Sequence, residues 1–280
     1  MLTSNHMQNS SPKQTKFWII ATLVIVATAA AIAASWPHVL VASHKESTVL
    51  VTEASGVSGG EAQSDYQLAA WLDSNNKAAY IGLAASEVDS GQAKAAGVAL
   101  KGAGSGPDVA PLTVRTYIEL GQYQQAAAKA SLLTTPGSSD TNLLLAALAY
   151  GLDNHGSEIT ALLPRISSSD ALQGAQRAQA GNLALASELY ATGLLNSSKA
   201  MLLKLPVTYE RNLLLSRIYF SQPNQSNLLR AEALLTTAIS LQPASINARQ
   251  LLTVVYRDEN KLPQASWQAA LVSKLQSGRP

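Results

Sequence analysis

Histidine is the side chain best suited to proton transfer or metal binding near neutral pH, and the chain has four. His6, His38 and His44 precede the main body of the sequence, and His155 sits in the turn-like stretch Asp-Asn-His-Gly. None belongs to a His-Glu-x-x-His or other paired metal-ligand spacing. We therefore predict no metal site and expect His155 to be a surface residue.

Other catalytic and cofactor signatures are also missing from the sequence. The absence of cysteine excludes thiol nucleophiles, cysteine zinc sites and iron–sulfur ligation. The glycine-rich segment 102–107 lacks the Lys-Ser/Thr and preceding strand of a phosphate-binding loop. Asp258 and Glu259 are adjacent, so on a helix they point to different sides and suit a solvated face. We predict no catalytic residues and no cofactor. Aromatic residues do not interleave with a basic stripe, so no nucleic-acid partner is expected.

One apolar segment near the N-terminus has the properties of a membrane span. Phe17–Ala34 is an uncharged run of 18 residues, about 27 Å as a helix and close to a bilayer's hydrocarbon thickness. Lys13 and Lys16 precede it, which places the N-terminus in the cytoplasm by the positive-inside rule. A cleaved signal peptide is the alternative, since Ala31-Ile32-Ala33 has the form of a cleavage site. Both interpretations export the rest of the chain.

The sequence divides into four segments by composition. Residues 1–16 form a polar cytoplasmic tail, and 17–36 form a transmembrane signal anchor. Residues 37–64 are predicted to be a flexible linker with a short strand at 47–53, and residues 65–280 an α-helical domain. Helix starts in that domain are expected at a first-turn proline and four capping residues: Pro111, Asp140, Ser157, Ser226 and Ser245.

Tyrosines recur through the helical part of the chain. Tyr117, Tyr150, Tyr190, Tyr219 and Tyr256 are separated by 33, 40, 29 and 37 residues, about 35 on average. Turn residues follow two of these tyrosines at Gly121 and Asn260, and alanines recur in the second helix of the candidate pairs at 126, 231 and 265. Small residues there permit close helix crossing.

This pattern resembles the tetratricopeptide repeat, most clearly over residues 106–136 and 208–275. The resemblance implies an all-α, tetratricopeptide-like solenoid of helical hairpins, preceded by one N-terminal transmembrane helix. A generic α-helical bundle is the alternative. Anchored proteins of this family serve envelope assembly, so the resemblance implies a non-enzymatic interaction scaffold in the bacterial inner membrane, its domain in the periplasm. The alternative function is an exported envelope enzyme, such as a glycosidase, with a cryptic site on a helical scaffold.

The resemblance also implies a groove for a protein or peptide partner on the first helices of the C-terminal hairpins. Arg217 and Arg257 would line one surface beside an exposed Phe220, and paired arginines suit an acidic peptide. The predicted partner-binding residues are Glu210, Arg217, Phe220, Asn247, Gln250 and Arg257.

Charge is distributed unevenly along the exported part of the chain. Residues 37–160 contain six basic and twelve acidic residues, and residues 161–280 contain twelve basic and six acidic ones. This asymmetry indicates either oriented docking of a partner or simple drift in surface charge.

We predict that residues 1–36 anchor the protein, because the apolar run is uncharged and follows two lysines. Carbonate-washed membranes should retain the full-length chain. A full-length chain in the soluble fraction would contradict the anchor, and an N-terminus at Ala34 would indicate cleavage instead.

Overall fold

A computed structural model of the protein describes residues 43–57 and 60–277, which form two compact units, one up to Gly82 and one from Leu83 onward. The first described helical segment, α1, covers residues 43–54. The helices that follow are α2 (Gly60–Leu72), α3 (Lys77–Asp89), α4 (Ala93–Ala103), α5 (Ala110–Glu119), α6 (Tyr123–Ala130), α7 (Asp140–Leu152), α8 (Gly156–Leu162), α9 (Ser169–Ala180), α10 (Asn182–Ala191), α11 (Leu195–Leu202), α12 (Tyr209–Phe220), α13 (Gln225–Leu241), α14 (Ile246–Asp258) and α15 (Leu262–Ser277). Short 3₁₀ turns follow α6 and α8 at Ser131–Leu133 and Leu163–Arg165.

The described residues contain no β-strand, which confirms the predicted all-α class. Helices close in sequence pack in neighbouring pairs, a solenoid-like arrangement compatible with the predicted repeat. None of the helices within 43–57 and 60–277 combines the length and apolar character that crossing a membrane requires. The predicted span at 17–36 lies outside the described residues.

The N-terminal unit differs from the linker predicted over residues 37–64. Residues 43–54 are helical, and α2 already begins at Gly60, so the strand predicted at 47–53 is wrong. Buried polar contacts hold this helical segment in place. The Ser47 hydroxyl donates to the Ala69 carbonyl at 2.8 Å and accepts from the Asn76 amide at 2.7 Å. Leu50 and Val51 pack on buried alanines of α2 and α3, contacts that composition alone does not reveal.

Close packing explains why a glycine, Gly82, lies in the interior of α3, where glycine is normally unfavourable. A Cβ atom built at this position would lie 2.2 Å from Cε1 of the Tyr66 ring. Tyr66 belongs to α2, so the glycine lets an aromatic ring lie directly on the backbone of α3. Helix propensity is a weak prior and is overridden here by the tertiary contact.

One helix-terminating turn recurs in the second unit. The turns between α3 and α4, α5 and α6, α7 and α8, α10 and α11, and α14 and α15 each place one residue in the left-handed region, namely Gly91, Gly121, Asn154, Gly193 and Asn260. In α5, the Gly121 amide donates to the Ile118 carbonyl and the Gln122 amide donates to the Tyr117 carbonyl, both at 2.9 Å. The other four turns repeat the same two bonds, which define a Schellman motif.

In each turn, one of the two bonds spans five residues, and we take the residue whose carbonyl accepts it as the reference position of the pair. It is Glu87, Tyr117, Tyr150, Leu189 or Tyr256, and the next helix begins six residues later in every case. Tyr190 is therefore one residue out of phase, as the irregular spacing of the tyrosines indicated. Glu87 takes the tyrosine position in the first pair, where burial raises the pKa of its carboxyl. The α12–α13 pair uses a longer turn, with Asn224 as N-cap.

Small buried residues mark the point where the two helices of a pair cross. Nine residues after the reference position lie Ala96, Ala126, Ser198 and Ala265, all buried. In the α10–α11 pair the Ser198 hydroxyl donates to the Ala186 carbonyl at 2.7 Å, a bond between facing helices that requires close approach. The predicted role of Ala126 and Ala265 agrees with this geometry. Ile159 is the larger residue at the corresponding position of α8.

Helix starts were predicted with mixed success. Pro111 lies in the first turn of α5, and the Ser245 side chain caps α14. The predicted caps at Asp140, Ser157 and Ser226 are wrong by one or two residues. Ser139 and Asn224 cap α7 and α13, and α8 starts after His155 with no side-chain cap. The Asp140 carboxylate instead accepts the Ser167 and Ser168 amides at 3.1 and 2.7 Å, just before α9.

The chain departs from a regular repeat between α7 and α11. The extra helix α9 packs against both α7 and α10, after Pro164 and the 3₁₀ turn have ended the preceding helix. Helix α11 then returns to α5. The Ser197 hydroxyl donates to the Ile118 carbonyl, and the Asn196 amide donates to a Glu119 carboxylate oxygen at 3.1 Å. The Asn196 side chain also reaches the Gly91 carbonyl at 3.5 Å, so three hairpin turns converge.

We predict that Leu252→Ala lowers the free energy of unfolding by about 2 to 5 kcal/mol, because Leu252 is buried in the core that α13 and α14 share. Urea unfolding followed by circular dichroism measures the change. Leu262→Ala is the matched control, since Leu262 is exposed, and it should change stability by less than about 0.5 kcal/mol. Equal effects of the two substitutions would contradict the packing of α14.

Candidate functional site

The predicted partner-binding residues fall on one repeated face of two first helices. Tyr219 and Tyr256 are 37 residues apart. At the same interval, α14 has Asn247, Gln250 and Arg257 where α12 has Glu210, Leu213 and Phe220. Glu210, Arg217, Asn247, Gln250 and Arg257 are exposed. Phe220 differs from the expectation, because it is only partly exposed and packs against the core of the C-terminal helices.

Two of the six residues share a depression between α10 and α12, which we call the arginine depression. It encloses about 660 Å³ and is lined by Arg177, Leu183, Ala184, Ser187, Glu210, Leu213, Leu214 and Arg217. The two walls use the same repeat positions. Leu183, Ala184 and Ser187 lie six, five and two residues before Leu189, and Leu213, Leu214 and Arg217 lie at the same distances before Tyr219. Asn247, Gln250, Phe220 and Arg257 lie outside this lining.

Leucines and alanine form the floor, and charged groups stand at its margin. Arg217 is exposed and forms no salt bridge with a described residue. The guanidinium therefore keeps its five donors for a ligand, and a planar carboxylate could accept two of them in parallel. Glu210 lies two helical turns before Arg217 on α12, which gives the depression one anionic and two cationic margins.

Arg177 is held in the depression by a buried carboxylate. Its guanidinium lies 3.0 Å from Glu188, whose side chain is 7% exposed whereas that of Arg177 is 50% exposed. Room for the Glu188 carboxylate depends on Gly174, since a Cβ atom there would lie 2.7 Å from Glu188 Oε1. The ion pair thus fixes the direction of Arg177, and half of the side chain remains open to solvent.

Sequence reasoning missed Arg177 and the α10 side of the depression. These residues fall in 140–205, where the extra helix α9 breaks the repeat, so positions could not be carried over by period. Nothing in the sequence indicates that Glu188 is buried and faces Gly174 across two helices. Arg257, predicted to line one surface with Arg217, lies on α14 as expected but outside the depression.

A second charged cluster lies at the end of the array and has a structural role. Lys261 bridges Glu232 at 2.6 Å and Glu259 at 3.2 Å, and its ammonium group lies 5.7 Å from the Tyr256 ring centroid. The hydrogen bond to Glu232 raises the pKa of Lys261. Glu259 was expected on a solvated face, but its side chain is fully buried. The cluster ties α13 to the turn between α14 and α15.

Glu119 is the most enclosed charged group at the convergence of the hairpin turns. One carboxylate oxygen accepts the Asn196 amide in the first turn of α11, and the other has no hydrogen-bond partner. Burial raises the pKa of the Glu119 carboxyl, and the hydrogen bonds from Asn196 and Ser197 and the charge of Arg115 oppose this only in part. Ionised Glu119 therefore costs stability at neutral pH.

Comparison with known proteins does not assign the chain. No protein-family model matches the sequence, and no curated protein matches it significantly. Across 43–57 and 60–277, no cluster of three or more histidine or acidic side chains has the geometry of a metal site. The arrangement of the arginine depression is suited to binding an extended, acidic segment with apolar side chains.

We predict that Glu119→Gln raises the melting temperature at neutral pH, since glutamine keeps an acceptor for the Asn196 amide and removes the buried charge. The folded-state pKa of Glu119 is raised, so the gain should be full above that pKa and should be lost as pH falls from it to the ordinary pKa that glutamate has in the unfolded chain. Melting curves of both chains across the acidic range measure the difference. A gain that does not depend on pH would contradict the buried carboxylate.

Proposed function

We propose that this protein is a non-enzymatic scaffold that binds an acidic, leucine-containing segment of a partner protein in the arginine depression. The observation that carries the proposal is the joint lining of one apolar depression by Arg177, Arg217 and equivalent positions of two first helices. Solenoids of helical pairs bind extended segments on such faces, because consecutive first helices present a continuous surface.

Each part of the depression has a defined task in this proposal. Arg217 forms bidentate hydrogen bonds with a partner carboxylate, and Arg177, oriented by Glu188, binds a second one. Leu183, Leu213 and Leu214 accept apolar side chains of the same segment. Glu210 repels an acid placed at its end of the depression, which sets the direction of the bound segment.

The proposed array is tetratricopeptide-like. Support comes from the five repeated Schellman turns, the tyrosines at three reference positions and the small residues at the crossing points. An open continuation of the same face on α14, with Asn247, Gln250 and the 38% exposed Val254, extends the surface beyond the depression. A long partner segment would contact this extension after leaving the arginines.

We place the scaffold at the bacterial inner membrane, with its N-terminus in the cytoplasm and its helical array in the periplasm. The apolar run Phe17–Ala34 and the preceding lysines support this placement. A tethered binding array suits the assembly of an envelope machine of the pilus, secretion or cytochrome-maturation type. That last step rests on the resemblance to anchored tetratricopeptide proteins.

We predict that Arg217→Ala weakens binding of a labelled Glu/Leu-alternating peptide about tenfold or more, because a charge-assisted bidentate contact is worth about 1.5–3 kcal/mol. Fluorescence anisotropy with the full-length chain in lipid nanodiscs measures the affinity. Arg257→Ala is the matched control, since Arg257 is also an exposed arginine but lies outside the depression.

A Lys/Leu-alternating peptide controls for charge and should bind weakly to every variant. Equal losses for Arg217→Ala and Arg257→Ala would move the site to the longer face of α12 and α14. Unchanged affinity for both would reject the proposal.

A further inference from the structure

A second groove runs along α5 and is separate from the arginine depression. It encloses about 270 Å³ between α4, α5 and the end of α6. Its wall along α5 is formed by residues at helical spacing, Ala110, Thr113, Tyr117 and Leu120. Gly97 forms the opposite wall on α4, where its missing side chain leaves the groove open.

The groove floor is apolar even where a hydroxyl-bearing residue lies in it. A Cβ atom built on Gly97 would lie 3.8 Å from the Thr116 Cγ2 methyl group, which therefore faces the glycine. The Thr116 hydroxyl is buried and accepts no bond in the described part of the chain. The Thr113 hydroxyl donates to the Val109 carbonyl at 3.0 Å, so it is also occupied by its own helix.

Positive charge is concentrated at one end of this groove. Lys101 and Lys129 both line it, and none of its lining residues is acidic. Lys101 lies near the end of α4, which leads into the start of α5, and Lys129 lies near the end of α6, which returns antiparallel after a short turn. Both lysines therefore stand beside the N-terminal half of α5, and Tyr117 and Leu120 mark the other end.

The two lysines are not neutralised by the protein. Neither forms a salt bridge with a residue in the described ranges, and both are exposed. Asp108, in the loop before α5, lies outside the groove lining and has an interaction of its own. A narrow apolar groove with two free ammonium groups at one end is complementary to a molecule with one anionic end and one unbranched alkyl chain.

We propose that this groove binds an anionic amphiphile with a single medium-length alkyl chain. The chain lies along α5 towards Leu120, and the carboxylate or phosphate head lies between Lys101 and Lys129. The volume is sufficient for one such chain. Binding is non-covalent, and it is independent of the peptide site, with which the groove shares no lining residue.

Photolabelling of the full-length chain in phosphatidylcholine nanodiscs with a diazirine-bearing decanoic acid tests this site. Mass spectrometry should place the labels within residues 97–132. Decanoate and decyl phosphate should both compete for the site, which compares a carboxylate with a phosphate head, whereas decyltrimethylammonium should not compete.

Variants at opposite ends of the groove separate the roles of charge and shape. Joint replacement of Lys101 and Lys129 by Ala should reduce labelling about tenfold at subsaturating probe, since two charge-assisted contacts are lost. Gly97→Leu should reduce it similarly by filling the groove. Lys94→Ala is the matched control, because Lys94 is an exposed lysine of α4 outside the lining, and it should leave labelling unchanged.

Equal labelling of the parent chain and the double lysine variant would overturn the proposal, as would labels outside 97–132. Competition by the Glu/Leu peptide but not by decyl phosphate would assign the groove to a protein partner instead. Arg217→Ala should leave photolabelling unchanged, so that failure of the peptide site and failure of this groove are distinguishable.

Discussion

The second unit depends on one backbone constraint, the left-handed residue that ends the first helix of a pair. Glycine tolerates this conformation without a Cβ clash, and asparagine tolerates it better than other side chains. The same two hydrogen bonds form at Gly121 and Asn260. The second helix of each pair therefore begins six residues after the reference position and runs in the same direction relative to the first helix. Fixed directions bring the same positions of each helix to the crossing point, where four of the five pairs have alanine or serine and α8 has the larger Ile159. The repeated turn residues therefore produce helix pairs of similar geometry, and apolar side chains pack between the two helices of each pair.

The same regularity explains why the break at α9 has large consequences. The extra helix changes the direction in which α10 and α11 leave, and α11 meets α5 through Ser197 and Asn196 instead of extending the array. This contact buries Glu119 and uses the inner edge of the early hairpins for the protein's own packing. The arginine depression lies beyond the hairpin turns that this contact joins, between α10 and α12.

Much of this architecture was accessible from the sequence, and the exceptions share a cause. The all-α class, Pro111, Ser245 and the turns at Gly121 and Asn260 were predicted because each signal is local. Helix 43–54, the place of Gly82 and the pairing of Arg177 with Glu188 were not, because each depends on contacts between separate helices. The candidate depression includes two of the six predicted partner-binding residues for the same reason. Glu210 and Arg217 follow the repeat, whereas Arg177 joins them only through the non-repeating helix α9, and Phe220 was turned into the core by α13 and α14.

Net charge along the sequence proved a poor guide to the charge that a ligand meets. The acidic half of the chain uses many of its carboxylates internally, with Asp89 paired to Arg115, Asp140 accepting two amides before α9, and Glu87 and Glu119 buried. In that same half Lys101 and Lys129 form no salt bridge with a described residue, so the groove along α5 is cationic. In the basic half, Lys261 forms salt bridges with Glu232 and Glu259, whereas Arg217 forms none with a described residue. In each half, folding thus leaves positive charge without a salt bridge to a described residue beside an apolar floor.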